Sequence, residues 1–266
     1  MLRASSVHPA RYGHAAGAAS EFEKGIPMET KIEEIAPDIF RLSTYVAEIA
    51  APAGFVFNQF LIRGDEPFLF HTGMRQMFPL VSAAVDRVVG LDRLRWISFA
   101  HVEADECGAM NAFLAAAPSA QVVHGPLACM VSLNDLADRP PVPVVDAPID
   151  IGGHVMRFLP TPHVPHNWEC GLWFDETTKT LLAGDLFTAL GDGPAIVETD
   201  LVEGAMVGEE AFHATSIGPA VPTTLQTLAT LQPAVLACMH GPSFRGDGAA
   251  QLRLLADYYS AALAPV

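Results

Sequence analysis

The chain has 266 residues, half of them hydrophobic, which is enough to bury a large core in one domain or two tightly packed halves. Its formal net charge of -15 argues against nucleic acid or an anionic membrane surface as a partner, since both need clustered Lys and Arg. No apolar run approaches the roughly 20 residues of a membrane span, and four scattered cysteines without a CxxC pair suggest neither a disulfide framework nor a thiolate zinc site, so a reducing cytoplasm is the expected location.

Residues 1–27 are rich in Ala, Ser and Gly and lack the continuous apolar core of a secretory signal. They read as a flexible N-terminal extension in which His8 and His14 have no role, with Met28 as an alternative start. Residues 28–266 are expected to form the functional domain. After residue 37, "DIFRLSTYV", "FVFNQFLI" and "PFLFHTG" have the β-branched and aromatic content of strands, with turns at Gly54 and Gly64-Asp65. "MFPLVSAAVDRVVG" has helical spacing and a Gly stop. "WISFA" reads as the next strand and "ECGAMNAFLAAAP" as a helix ended by Pro118. "AQVVHG", a short helix near "PLACMVSLNDLA" and the Pro-rich "DRPPVPVVDAP" complete the first half. A second strand set follows in "HVMRFLPT", "CGLWF" and "KTLLAGDLF", then the loop "GDGPAIVETD" and a helical stretch over 209–230. "AVLACMHG" and the helix "GAAQLRLLADYYSAAL" close the chain. Two runs of strands, each with helices and with no long linker between them, predict an α/β unit of two packed sheets with helices outside.

The segment "SFAHVEADECGAMN", residues 98–111, crowds His101, Glu103, Asp105, Glu106 and Cys107 behind an apolar strand, with no Lys or Arg of its own. Carboxylates at the end of a core strand need a cation to offset the cost of leaving water. Three further strand ends carry metal-capable groups: His163 or His166 after "MRFLPTP", Asp185 after "TLLAG", and His240 after "AVLACM". In an extended segment the alternation His101-Glu103-Asp105 points three donors the same way. Together these residues predict a metal site on one rim of a layered fold.

"AHVEADECGAMN", "PTPHVPHNWECGLWF", "LLAGDLF" and "MHGPSF" resemble, in that order, the motifs of the metallo-β-lactamase fold superfamily over roughly residues 38–260. The resemblance implies a four-layer αββα sandwich with two mixed β-sheets. Hydrolytic zinc members carry a second His where this chain has Glu103, and a last His where it has Glu106. The His-x-Glu-x-Asp form is similar to the di-iron domain of flavodiiron proteins and of their flavin-free oxygen-binding relatives. The extra carboxylate suits iron or manganese better than the imidazole-rich set that suits zinc. The implied ligands are His101, Glu103 and His166 for one iron, Asp105 and His240 for the other, and Asp185 between them. The gap from His166 to Asp185 fits the flavodiiron spacing, which leaves His163 as a supporting residue and proton donor. Glu106 is open to either a ligand or a supporting role, and His71, in "FHTG", stands where relatives often carry an Asp that orients a ligand.

These features imply a non-haem protein with two iron ions, zinc or manganese being the alternatives, that binds or reduces dioxygen or nitric oxide. The 266 residues leave no room for a flavodoxin domain and show no glycine fingerprint for a nucleotide, so no bound flavin is expected. Electrons would come from a separate flavoprotein or rubredoxin-like donor, and a homodimer is compatible with the resemblance. The competing reading is a dinuclear zinc or manganese hydrolase acting on an ester, lactone, thioester or phosphodiester. A metal-holding interaction module without turnover is a third.

Overall fold

The computed structural model describes residues 28–144 and 147–264, so the expected extension over residues 1–27, with His8 and His14, lies outside it. The first half of the chain runs β1 (Thr30–Ala36), β2 (Ile39–Val46), β3 (Phe55–Ile62), β4 (Phe68–Phe70), α1 (Phe78–Val89), β5 (Trp96–Ser98), α2 (Ala104–Cys107), α3 (Met110–Ala116), β6 (Gln121–His124), α4 (Pro126–Ala128), α5 (Asn134–Leu136) and β7 (Val142–Pro143). Its strands form one sheet in sequence order, antiparallel from β1 to β4 and parallel from β4 to β7. The second half runs β8 (Ile149–Asp150), β9 (Val155–Pro160), β10 (Gly171–Asp175), β11 (Thr180–Gly184), β12 (Ile196–Val197), α6 (Val202–Phe212), α7 (Ala220–Ala229), β13 (Val235–Cys238), β14 (Ser243–Arg245) and α8 (Gly248–Ala262). These strands form a second mixed sheet in the order β12-β14-β13-β11-β10-β9-β8. Two mixed sheets flanked by helices are the expected αββα sandwich.

Alternation within single strands shows how the layers pack. Phe60, Phe68 and Phe70 join Trp173 and Leu182 of the second sheet in a core that continues to Leu225 of α7 and Leu252 of α8. Their neighbours Leu61 and Leu69 join Ile97, Val81 and Val85 of α1 and Phe113 of α3 in a separate core on the other face. Both faces of β3 are covered and all eight of its residues are buried, which is why it reads as a nearly continuous apolar run.

Several elements differ from expectation: the short strands β7 and β12 lie in segments read as a Pro-rich connection and a loop, β14 is not among the expected strands, and three larger differences have clear causes. β1 is absent from the sequence reading because "TKIEEIA" carries Lys31, Glu33 and Glu34, residues depleted in strands. It lies on the sheet edge, where charge discourages further pairing. The helix expected across 106–118 is two pieces, α2 and α3, broken at Gly108-Ala109. The helical stretch over 209–230 is likewise two helices. α6 starts earlier and stops at His213 in the left-handed conformation (φ 50°), and α7 begins only after Gly218-Pro219.

Candidate metal centre

The metal-capable residues come together where the second-sheet strands β11 and β13 and the first-sheet strand β5 end. β5 stops at Ser98, whose hydroxyl accepts the indole N–H of the fully buried Trp173 at 2.8 Å, pinning the two sheets together just below the site. The chain then bends through His101 into α2. Glu103 is extended (φ -139°, ψ 157°) at the start of α2, but Asp105 lies in its first turn. The expected every-second-residue alternation along an extended segment therefore holds only to Glu103. Asp105 is presented from a helical turn instead.

His101, Glu103, His166 and Asp185 each offer one ligand atom, and these atoms all lie within 4.8 Å of one another. His101 Nε2 is 2.7 Å from Glu103 Oε2, 2.8 Å from His166 Nε2 and 3.8 Å from Asp185 Oδ2. His166 Nε2 is 3.1 Å from Glu103 Oε2 and 3.6 Å from the same Asp185 oxygen. The other Asp185 oxygen, Oδ1, faces His240 Nε2 at 3.3 Å, and His240 Nε2 is 3.4 Å from Asp105 Oδ2. The two carboxylate oxygens of Asp185 thus serve two different groups of side chains. His163 is exposed on the turn three residues before His166, and no hydrogen bond joins its ring to the cluster.

Several residues outside the cluster hold it, and no sequence motif marks their supporting roles. His240 Nδ1 is 2.8 Å from the Val56 carbonyl, and its ring stacks on Phe55 with centroids 4.2 Å apart. Asn58 on β3 donates its side-chain amide to the carbonyls of Cys238 (2.9 Å) and Gly241 (2.8 Å), clamping the backbone on either side of His240. Glu169 accepts the Val102 N–H at 3.1 Å, tying the His166 turn to the His101 segment. Only their spatial position reveals these roles, since β3 itself reads as plain core strand. Cys129, Cys170 and Cys238 are buried free thiols, and Cys107 is partly exposed.

Without a cation the cluster holds protons. Burial opposes charge on His101, yet Glu106, Cys170, Glu103 and Asp185 together raise its pKa far above the ordinary imidazole range. Burial also opposes charge on His240, and Asp105 and Asp185 carry it up to about 10. Hydrogen bonds from His101 and then His166 bring Glu103 down to about 2. Asp185 is lowered despite its burial, chiefly by His240, and its Oδ1 is a buried acceptor with no hydrogen-bond partner. Two imidazole nitrogens 2.8 Å apart and converging carboxylates fit bound cations, because metal charge replaces those protons at the same donor atoms.

Asp185 owes its position to Gly184, which has φ 52°. A Cβ there would stand 2.9 Å from Ala100 Cβ and 3.2 Å from Leu172 Cδ2. Gly184→Ala is expected to cost roughly 1–3 kcal/mol from backbone strain and overpacking. Thermal unfolding should show a lowered Tm, and an unchanged Tm would contradict the packing described.

Comparison with known proteins agrees with this architecture. The family model described as ODP family beta lactamase matches residues 55–241. A protein carrying the name diflavin flavoprotein A 1, from Thermosynechococcus vestitus, is 29% identical over 209 residues, covering 74% of this chain and 36% of that protein. Diflavin flavoprotein A 2 of Synechocystis sp. is 27% identical over 202 residues, covering 71% of this chain and 33% of its own length. The chain therefore spans about a third of the length of the curated relatives it matches. Among solved structures, a 1–254 fragment of diflavin flavoprotein A 5 from Nostoc sp. PCC 7120 has a TM-score of 0.77 at 22% identity, covering 89% of this chain and 97% of that one. The rubredoxin oxygen:oxidoreductase of Desulfovibrio gigas has a TM-score of 0.74 at 16% identity, covering 86% and 62%. With the family model matching more than half of this chain, and a fold shared with solved flavodiiron cores, the chain belongs to the ODP beta-lactamase family.

Proposed function

We propose that this chain is a non-haem di-iron protein that binds or reduces dioxygen or nitric oxide. The observation that carries the reading is the division of Asp185. Its Oδ2 faces His101 and His166, and its Oδ1 faces His240 beside Asp105, so this carboxylate would be shared by two neighbouring ions. His101, Glu103 and His166 would hold one iron and Asp105 and His240 the other. Three carboxylates against three imidazoles favour iron or manganese over zinc. The relatives named as flavoproteins and the rubredoxin oxygen:oxidoreductase support the same chemistry.

When bound, an iron pair supplies two electrons and two Lewis-acid centres to one small ligand. The protein's part is positioning. The Val56 carbonyl fixes the ring of His240, and Glu106 holds the backbone N–H of His101. Phe55 covers one face of the His240 ring and is itself in contact with Phe212 (centroids 5.2 Å apart), which shields that side of the site from water. His163, on the exposed turn, would pass protons from solvent at a ring nitrogen. Electrons would come from a flavoprotein or rubredoxin-like donor. Among the described residues no helix is long and apolar enough to cross a membrane.

Elemental analysis after anaerobic, iron-replete expression tests the reading. About two metals per chain, predominantly iron, is the expected result, from the two groups of donors that share Asp185. Zinc alone at that stoichiometry would contradict it.

A further inference from the structure

The two ends of the shared carboxylate are not equally furnished, and the reason is Glu106. Its Oε2 accepts the His101 backbone N–H at 2.6 Å. Its Oε1 lies 3.3 Å from His101 Nδ1 and 3.3 Å from His71 Nε2, outside hydrogen-bond angles but in close electrostatic contact. The other His101 nitrogen, Nε2, is the one that faces Glu103 and His166. The two nitrogens lie on different edges of the ring, so a carboxylate on the Nδ1 edge stands behind His101 and offers nothing to the cluster in front. Glu106 is fully buried, as is its neighbour His71, while Glu103 and Asp105 retain solvent exposure. His71 is held by its own N–H, which donates to the Ser98 carbonyl at 2.8 Å, and its backbone sits at φ 66°. A bulky residue keeps that conformation only where its surroundings fix it.

Four side chains bound one position: His101, Glu103, His166 and Asp185. Three bound the other: Asp105, His240 and the shared Asp185. The carboxylates are matched, so the difference is one imidazole.

We infer that the centre holds its two metals unequally, one resident in the four-donor position and one exchangeable in the three-donor position, with Glu106 acting only as a positioning residue behind His101. This rests on the two-metal reading above. Its consequence is regulatory: the dinuclear state forms only when free metal exceeds a threshold, while the first ion stays bound at lower supply. With only Asp105, His240 and the shared Asp185 to hold it, the exchangeable ion would have room for a small ligand.

Anaerobic titration of the metal-free chain with Mn(II), following free ion by electron paramagnetic resonance, tests this without reference to activity. Uptake should reach two ions in two steps separated by at least about tenfold in affinity, the lower bound of what even a supporting residue contributes. Glu106→Gln keeps an acceptor for the His101 N–H but loses the charge behind the ring. It should weaken the tight step by roughly 10–100-fold and leave the weak step in place. Asp105→Asn should abolish the weak step alone. Two steps of equal affinity, or Glu106→Gln acting on the weak step, would overturn the inference while leaving the two-metal reading intact. So would Asp105→Asn acting on the tight step. Saturation at one ion or none would overturn both.

Discussion

Asp185→Ala should lose both metals. In the proposed centre every other donor would serve one position, whereas Asp185 presents Oδ2 to the pair His101 and His166 and Oδ1 to His240. Removing it takes a negative charge from both sides at once and leaves three imidazoles converging with less to offset bound cations. The loss of affinity should exceed the roughly 10–100-fold typical of a supporting residue. Stability measured with metal present should fall as well. A ligand at 100 times its Kd contributes about 2.7 kcal/mol, and the variant would forfeit that contribution for each ion. Metal content after gel filtration and Tm with and without added metal are the readouts. Wild-type occupancy of both ions in Asp185→Ala would show that the carboxylate is not shared.

The second large effect separates His166 from His163. His166 Nε2 meets His101 Nε2 at 2.8 Å and Glu103 at 3.1 Å, so His166→Ala removes one of four donors from the better-furnished position. Metal should drain from that position, with affinity reduced by at least about tenfold. His163 is exposed, and replacing a surface side chain is generally worth less than about 0.5 kcal/mol in stability. His163→Ala should keep both metals and slow only steps that need a proton. The reverse pattern, with metal lost from His163→Ala and kept in His166→Ala, would transfer the ligand role by three residues.

Much of this was legible in the amino-acid order, and what was not has a physical cause. Strands such as β3 and β11 are buried on both faces, so their apolar runs announce them. Donors placed just after β5, β11 and β13 announce a rim site, because strand ends collect there. β1 stayed hidden because edge position favours the charges that argue against a strand. The orientation of Glu106 was equally unreadable. In the sequence it is one more acid beside Asp105, and only the start of α2, which turns it inward toward His71 and the back of His101, sets it apart. Asn58 and Phe55 were invisible for a related reason. Their partners are some 180 residues away in sequence, and no local pattern encodes that contact.

Anaerobic reduction of the iron-loaded chain followed by exposure to air, watched by absorption beside a panel of ester, lactone and phosphodiester substrates, tests the central claim most directly. Oxygen chemistry at a carboxylate-rich iron pair predicts a prompt absorption change on admission of air and no hydrolysis. An unchanged spectrum together with brisk hydrolysis that persists under anaerobic conditions would contradict it.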